Sequence, residues 1–289
     1  MTSVPIDTTI AEARRRTTEW RKAGLTTGFV ATMGALHQGH LALIEKAKAH
    51  ADQVVVSIFV NPTQFAPNED FAAYPRDSDR DLNMLAEAGV DSAFMPTVAE
   101  MYPEGAATTV SVSGPALGLE TDHRPHFFQG VATIVAKLFL ATGADLTVFG
   151  EKDYQQLQVV RRMVADLAIP IDVLGCPTVR EPDGLALSSR NQYLSPEERA
   201  VAPGLYDALR TAATAIATGA DVAATLAATR RHLGVEHDVD YLALRNADTL
   251  AEVTDVRSEP LRLLVAAWLG TTRLIDNVPV DNPPGHVSG

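Results

Sequence analysis

Two histidines three residues apart, His37 and His40, lie in the run Thr32-Met33-Gly34-Ala35-Leu36-His37-Gln38-Gly39-His40. The run follows the β-branched stretch GFVATMG and opens an amphipathic segment near Gln38, so it marks a strand's C-terminal end passing into a helix. Ligands of open parallel sheets bind at such ends. Gly34 and Gly39 let the backbone approach a bound group, and the new helix aims free N–H groups and its positive dipole end at the same place. Two imidazoles there can donate to phosphate oxygens and, when charged, stabilise a pentavalent phosphorus centre. For one isolated histidine, a helix cap or a core position would be the better reading. The spacing changes that, because eight histidines and 19 glycines in 289 residues produce H-x-G-H by chance only roughly 0.01 times. A metal site is the weaker alternative, since no third or fourth ligand stands nearby in the sequence.

Three further segments carry usable chemistry. In Phe149-Gly150-Glu151-Lys152-Asp153-Tyr154-Gln155-Gln156, again a strand end entering a helix, Lys152 brings a point charge for phosphate and Asp153 can accept from ribose hydroxyls. Gln156, one turn along, offers an amide to a polar substrate. The competing reading is an ordinary surface turn with a solvated charge pair. In Asp183-Gly184-Leu185-Ala186-Leu187-Ser188-Ser189-Arg190-Asn191, two hydroxyls and an arginine form a flexible clamp able to close over a nucleotide. No G-x-S-x-G elbow marks a hydrolase nucleophile, and the lone Cys176 has no identifiable base partner and reads as structural. Phe59-Val60-Asn61-Pro62-Thr63-Gln64-Phe65 ends another strand, where Asn61 and Gln64 face the same crevice unless the run is only a structural turn.

The elements that must position these segments follow from the hydrophobic pattern. From Thr26 to Leu174, β-branched runs (GFVATMG, VVVSIFVN, DSAFM, LTVF, IDVL) alternate with helical segments at Gln38 onward, Asp79 to Ala88, Val131 to Ala141 and Tyr154 to Ala168. That rhythm predicts an α/β domain, a doubly wound parallel sheet wrapped by helices. Beyond a loop rich in proline and glycine, Ser195 is a good N-cap and Pro196 suits the first helical position. An Ala/Thr-rich helical stretch runs to about Leu233, and DYLALRN, LRLLVAAWL and TRLIDN read as strands of a smaller α+β part. The expected organisation is a first domain over 1–178, a C-terminal lid domain over 179–282 and a disordered tail over 283–289.

Composition excludes several classes. Hydrophobic residues at 46% and charged residues at 21% are those of a folding globular chain. A net charge of −12 argues against a broad footprint for nucleic acid or anionic membrane, so any phosphate must be held by a local cluster. A single cysteine forms no internal disulfide, the N-terminal MTSVPIDTTIAEARRR lacks a signal peptide's apolar core, and no apolar run reaches the length of a membrane span. The expectation is a soluble cytoplasmic protein.

Together the segments resemble the pantothenate synthetase (pantoate-β-alanine ligase) family over about Thr9 to Asn277. The resemblance is carried by TMGALHxGH, SIFVNPTQF, YPR at Tyr74 to Arg76, MYP at Met101 to Pro103, FGEKDYQQL, DGLALSSRN and GTTRLIDN, seven motifs in the family's order. It implies a Rossmann-like nucleotidyltransferase fold with a smaller C-terminal domain, a homodimer, and ATP with Mg2+. It further implies adenylation of pantoate, then attack by the β-alanine amine with release of AMP. Carried over by position, Met33, Gly34, Ala35, Leu36, His37, Gln38, Gly39 and His40 would line the ATP site, with His37 as principal catalytic histidine and His40 on phosphate. Gly150 and Asp153 would hold the ribose, beside Glu151. Lys152, Ser188, Ser189 and Arg190 would bind the triphosphate, Val179 and Leu187 would flank adenine, and Gln64 and Gln156 would hold pantoate with support from Asn61. No protein metal site is implied, Mg2+ bridging phosphate oxygens.

The chain departs from the family pattern at Ala31, where proline is usual, at Gln38, where glutamate is usual, and at Phe127, where Arg124-Pro125-His126-Phe127 has its histidine one place early. Either Phe127 faces the core while His126 fills the polar role, or the acid site is reshaped for another hydroxy acid. A nucleotidyltransferase that stops after transferring AMP, and a silent nucleotide-binding dimer, are the other readings. Gln64 and Gln156 favour the ligase, because a phosphate acceptor would call for basic residues there. Retention of both histidines and Lys152 argues against silence.

Overall fold

The structure, a computed structural model, describes residues 3–65, 71, 74 and 76–282. Pro75 of the YPR motif and the predicted disordered tail over 283–289 lie outside the described residues.

Six strands, β1 (Ile6–Asp7), β2 (Thr27–Thr32), β3 (Gln53–Ile58), β4 (Ser92–Phe94), β5 (Leu146–Gly150) and β6 (Asp172–Cys176), form one sheet. Their order is β1-β4-β3-β2-β5-β6, and every pairing is parallel. Helices α1 (Ile10–Lys22), α2 (Gln38–Lys48), α3 (Ser78–Glu87), α4 (Val98–Met101), α5 (Glu120–His123), α6 (Phe127–Thr142) and α7 (Tyr154–Asp166) connect them. Alternation along the strands divides the core into two layers. Phe29, Val55, Phe94 and Phe149 pack with α6 and α7, whereas Val30, Val54, Val56 and Val148 pack with α2 and α3. Both faces are therefore dry, which is why these strands read as nearly continuous apolar runs.

The chain then builds α8 (Pro196–Val201), α9 (Gly204–Ala217), α10 (Val222–Leu233) and an antiparallel sheet of β7 (Asp238–Asn246), β8 (Leu261–Leu269) and β9 (Thr272–Val280). Leu263, Val265 and Ala267 of β8 face Leu205, Leu209 and Ile216 of α9. Leu264, from the other face, packs with Leu119 and Tyr154 of the larger part. β8 is thus sandwiched, and its apolar run follows from that.

Helix starts agree closely with the sequence. α2 begins at Gln38 as expected, and Ser195 caps α8 through a capping box with Glu198, with Pro196 in the first position. The edge strand β1 and helix α1 were not anticipated, since the strand rhythm was read only from Thr26. A two-residue strand has no readable period. The helix did carry a signal: Thr9 and Glu12 form a capping box, with the Glu12 N–H donating to Thr9 Oγ1 at 3.2 Å and the Thr9 N–H to Glu12 Oε2 at 3.0 Å.

Candidate active site

The strand order reverses between β2 and β5, because β3 and β4 follow β2 to one side while β5 and β6 lie on the other. Beyond the C-terminal ends of these strands, and roofed by the second sheet, lies a cavity of about 950 Å³. Both the His37 turn and the Lys152 turn open into it. This is the switch-point crevice where an open parallel sheet binds ligands.

The first turn is built around a buried carboxylate. Gly34 and Ala35 take left-handed conformations (φ 81° and 50°), and Asp81 of α3, only 1% exposed, accepts the N–H of Ala35 at 2.9 Å and of Leu36 at 2.8 Å. A Cβ on Gly34 would lie 2.9 Å from Asp81 Oδ2, so the turn admits glycine there. These N–H groups face Asp81 and not the cavity. Gly34, Ala35 and Leu36 accordingly stand outside the cavity wall, as do the exposed Gln38 and the half-buried Glu151, whereas Met33, His37, Gly39 and His40 line it.

His37 is the N-cap of α2, its Nδ1 accepting the Gly39 N–H at 3.1 Å, while His40 Nδ1 accepts the His37 N–H at 3.3 Å. The ring centroids are 4.1 Å apart. A ring nitrogen that accepts carries no proton, so each neutral imidazole bears its hydrogen on Nε2. Gly39 leaves room for this, since a Cβ would meet the His37 ring at 2.8 Å. Burial, then the charge of Lys152, hold His37 down at about 4; burial, His37 and Lys152 hold His40 at about 3. Of the two roles open to the imidazoles, this environment favours the first: buried beside Lys152, both rings are neutral N–H donors.

The second turn is held from afar. Lys152 Nζ stands 3.9 Å from Asp153 Oδ2, and both residues line the cavity. Asn277 Nδ2 of β9 donates to the carbonyls of Glu151 and Lys152, each at 2.9 Å. Glu151 itself pairs with Arg262 at 3.2 Å, which explains its absence from the wall. Facing this turn, a hairpin bridges Arg180 to Ala186, and its walls bring in Val179, Leu187, Ser188, Ser189 and Arg190. Ser188 Oγ caps the following 3-10 turn by accepting from the Arg190 N–H at 3.3 Å.

Within the cavity wall the glutamines divide by role. Gln155 is committed to structure, donating to Pro115 O at 3.0 Å and accepting from the Glu120 N–H at 3.1 Å. Gln64 and Gln156 line the cavity with side-chain amides that have no protein partner among the described residues. Asn61, buried, lines the cavity as well; its Oδ1 accepts from Tyr102 Oη at 2.8 Å and its Nδ2 donates to Gly130 O at 3.3 Å. Gly130 permits that approach, because a Cβ would lie 2.4 Å from Thr63 O.

Phe127 lines the cavity with the Arg124 guanidinium 3.9 Å above its ring, while His126 is exposed and outside the wall. His126 therefore does not fill the polar role, and Phe127 places apolar surface where the family pattern has a histidine. Cys176 is buried, donating weakly to Ala42 O at 3.8 Å, and burial raises its pKa.

Sequence reasoning missed one group in the wall. Arg273 bonds Glu120 at 2.8 and 2.7 Å and Asp240 at 2.7 Å, beside a half-buried Tyr241 whose pKa is pushed up by desolvation and by Glu120. These residues come from α5, β7 and β9, and their bonds tie α5 of the larger part to the second sheet. No short-range spacing links them, and only the TTRLIDN motif pointed at Arg273.

The profile described as pantoate-beta-alanine ligase matches residues 5–279. The chain belongs to the pantoate-beta-alanine ligase family. It is an enzyme of that class. The pantothenate synthetase of Rhodospirillum rubrum is 54% identical over 287 residues, covering 97% of this chain and all of the relative. The crystal structure of pantothenate synthetase from Thermus thermophilus superposes with a TM-score of 0.88 at 50% identity, covering 97% of this chain and 100% of that one. The pantoate-beta-alanine ligase of Francisella tularensis, crystallised with beta-gamma ATP and beta-alanine, superposes with a TM-score of 0.79 at 33% identity, covering 96% and 98%. The family's nucleotidyltransferase-like architecture, a parallel sheet plus a small antiparallel one, is the one described above. Among the described residues no helix is long and apolar enough to cross a membrane.

Proposed function

We propose that this chain condenses pantoate with β-alanine through a pantoyl adenylate. One observation carries the reading: a single cavity is lined both by phosphate-directed donors, His37, His40, Lys152, Ser188, Ser189 and Arg190, and by the amides of Gln64 and Gln156, which have no protein partner among the described residues. An acid held by amides is thereby set beside a held triphosphate. The pantoate carboxylate oxygen attacks the α-phosphorus of ATP, and the bond to the β-phosphate oxygen breaks, releasing pyrophosphate. The neutral amine of β-alanine then attacks the acyl carbon, loses a proton, and expels AMP.

The Nε2–H groups of the two imidazoles and the Lys152 ammonium meet charge developing on the phosphates, an electrostatic contribution that needs no proton transfer. Asp153 and the Gly150 backbone would receive the ribose, and Val179 and Leu187 would flank the base. We propose residues 1–178 as the domain that holds ATP and pantoate, and 179–282 as the lid that brings Ser188 to Arg190 over the phosphates. Mg2+ fits this donor set as a companion of ATP. Among the described residues no three His, Cys, Asp or Glu side chains converge, so phosphate oxygens and water would ligate the ion, and it would offset phosphate charge. A cytoplasmic homodimer completes the reading, supported by the family resemblance.

The test is exchange of labelled pyrophosphate into ATP. Pantoate without any amine should support it, and AMP should appear only when β-alanine is added. Exchange that requires β-alanine, or accumulation of ADP, would overturn the adenylate route. The apolar Phe127 wall supports a second reading, a different hydroxy acid, which the same exchange run over a panel of hydroxy acids decides by their kcat/KM values.

A further inference from the structure

We propose that Asn277 is a positioning residue for Lys152, an inference that rests on the adenylation reading above. The amide of Asn277 is buried, with 3% of the residue exposed, and is fully committed to protein. Nδ2 donates to the carbonyls of Glu151 and Lys152, each at 2.9 Å, and Oδ1 accepts from Arg262 Nε at 2.7 Å. Arg262 closes the loop, bonding Glu151 Oε2 at 3.2 Å and lying 4.1 Å over the Tyr154 ring. Asn277 therefore has no donor left for substrate and acts through the turn that carries Lys152. Rotation of the Lys152 backbone would break two buried hydrogen bonds at once, and leaving such groups unpaired is costly.

The preceding residue gives the same strand a second duty. Asp276 takes the Arg180 guanidinium at 2.6 and 2.9 Å and accepts the Asn277 N–H at 2.7 Å. Arg180 opens the hairpin that returns through Ala186 to Ser188, Ser189 and Arg190. Consecutive residues of β9 thus hold the two phosphate-directed loops at a set separation. A triphosphate spanning them meets charges already in place, and none of its binding energy is spent on moving a loop.

The experiment is a double-mutant cycle read by pantoate-dependent pyrophosphate exchange, using Asn277→Asp, Lys152→Ala and the pair. Aspartate keeps the acceptor for Arg262, replaces the two donations by a carboxylate oxygen facing both carbonyls and adds a buried charge, so Asn277→Ala is measured beside it. Asn277→Asp alone should lower the exchange kcat by about 10–100-fold, the usual loss on removing a partner that orients a functional group. The KM for pantoate should stay within about twofold. In the Lys152→Ala background the same substitution should cost less than about twofold, because the residue it positions is gone. Losses that multiply would overturn the proposal, as would unchanged exchange in Asn277→Asp. If both Asn277→Asp and Asn277→Ala melt far below the wild type, Asn277 holds the sheet and not the lysine, and the proposal also falls. Wild-type protein without pantoate-dependent exchange would instead overturn the adenylation reading on which it rests.

Discussion

The two turns at the head of the crevice look alike in sequence, each a strand end entering a helix, yet they are held by different means. The His37 turn is assembled from nearby chain: each imidazole caps a backbone N–H within three residues, and Asp81 arrives on a helix that packs against the same face. The Lys152 turn is held by Asn277 and Arg262 from the second sheet. The histidines are therefore set once the parallel sheet forms, whereas the lysine is set only when the two sheets dock. Chemistry that needs both becomes conditional on that docking.

Removing the donors themselves should have the largest effect. Lys152→Ala and His37→Ala should each lower the adenylation rate on the order of 10²–10³-fold with folding little changed, as for loss of a preorganised donor to developing charge. Near-normal turnover in either would place the chemistry in another cleft. The comparison of supports is broken or kept by Asp81→Ala, which strands the N–H groups of Ala35 and Leu36. At about 1–3 kcal/mol for each of the two stranded groups, a loss on the order of 2–6 kcal/mol should appear in urea unfolding. An unchanged midpoint would show that the first turn is not held as described.

Smaller effects sharpen the electrostatic side of the contrast. The two imidazoles have pKa values of about 4 and 3 when folded, against an ordinary 6.5. Below 6.5 the unfolded chain takes up protons that the buried rings refuse, so their contribution to stability is complete above that pH and is lost as the pH falls towards 4. The kcat/KM for ATP, which reports the free enzyme, should accordingly show no inflection between pH 6 and 7, and an acid limb set by His37 should lie near 4. A break at 6.5 would mean a solvated, charged imidazole. The smallest effect is expected at Phe127→His, which exchanges the stacking contact with Arg124, about 0.5–1 kcal/mol, for a polar donor. The KM for pantoate should fall severalfold while that for ATP is unchanged. No change in either would make the substitution neutral.

Much of this was legible in the order of residues. β-branched runs alternating with helical segments predicted the parallel sheet, and GFVATMG and LTVF proved to be the neighbours β2 and β5 that flank the crevice. Ser195, Pro196 and the start at Gln38 were readable because capping chemistry acts over three or four residues. Gly34, Ala35 and Leu36 were expected at the nucleotide because the family resemblance carries the whole run Met33 to His40 there. The N–H groups of Ala35 and Leu36 are taken here by Asp81, 45 residues on from Leu36, and no local pattern reveals such a partner.

The sequence by itself determined which side chains could touch phosphate, on which strand ends they sit, and that Gln64 and Gln156 differ in kind from the basic residues of the same wall. Tertiary structure alone decided which of those groups are spent on the protein and which are free. Among the described residues the Gln155 side chain has protein partners while those of Gln156 and Gln64 have none, Asn61 is bonded to Tyr102 and Gly130, and both imidazoles are neutral because they are buried beside Lys152. It alone also placed Asn277 against the carbonyls of residues 126 and 125 positions earlier. The reason is physical: caps, turns and amphipathic faces are set by interactions within a few residues, whereas hydrogen-bond satisfaction and dielectric environment depend on whatever the whole fold brings near.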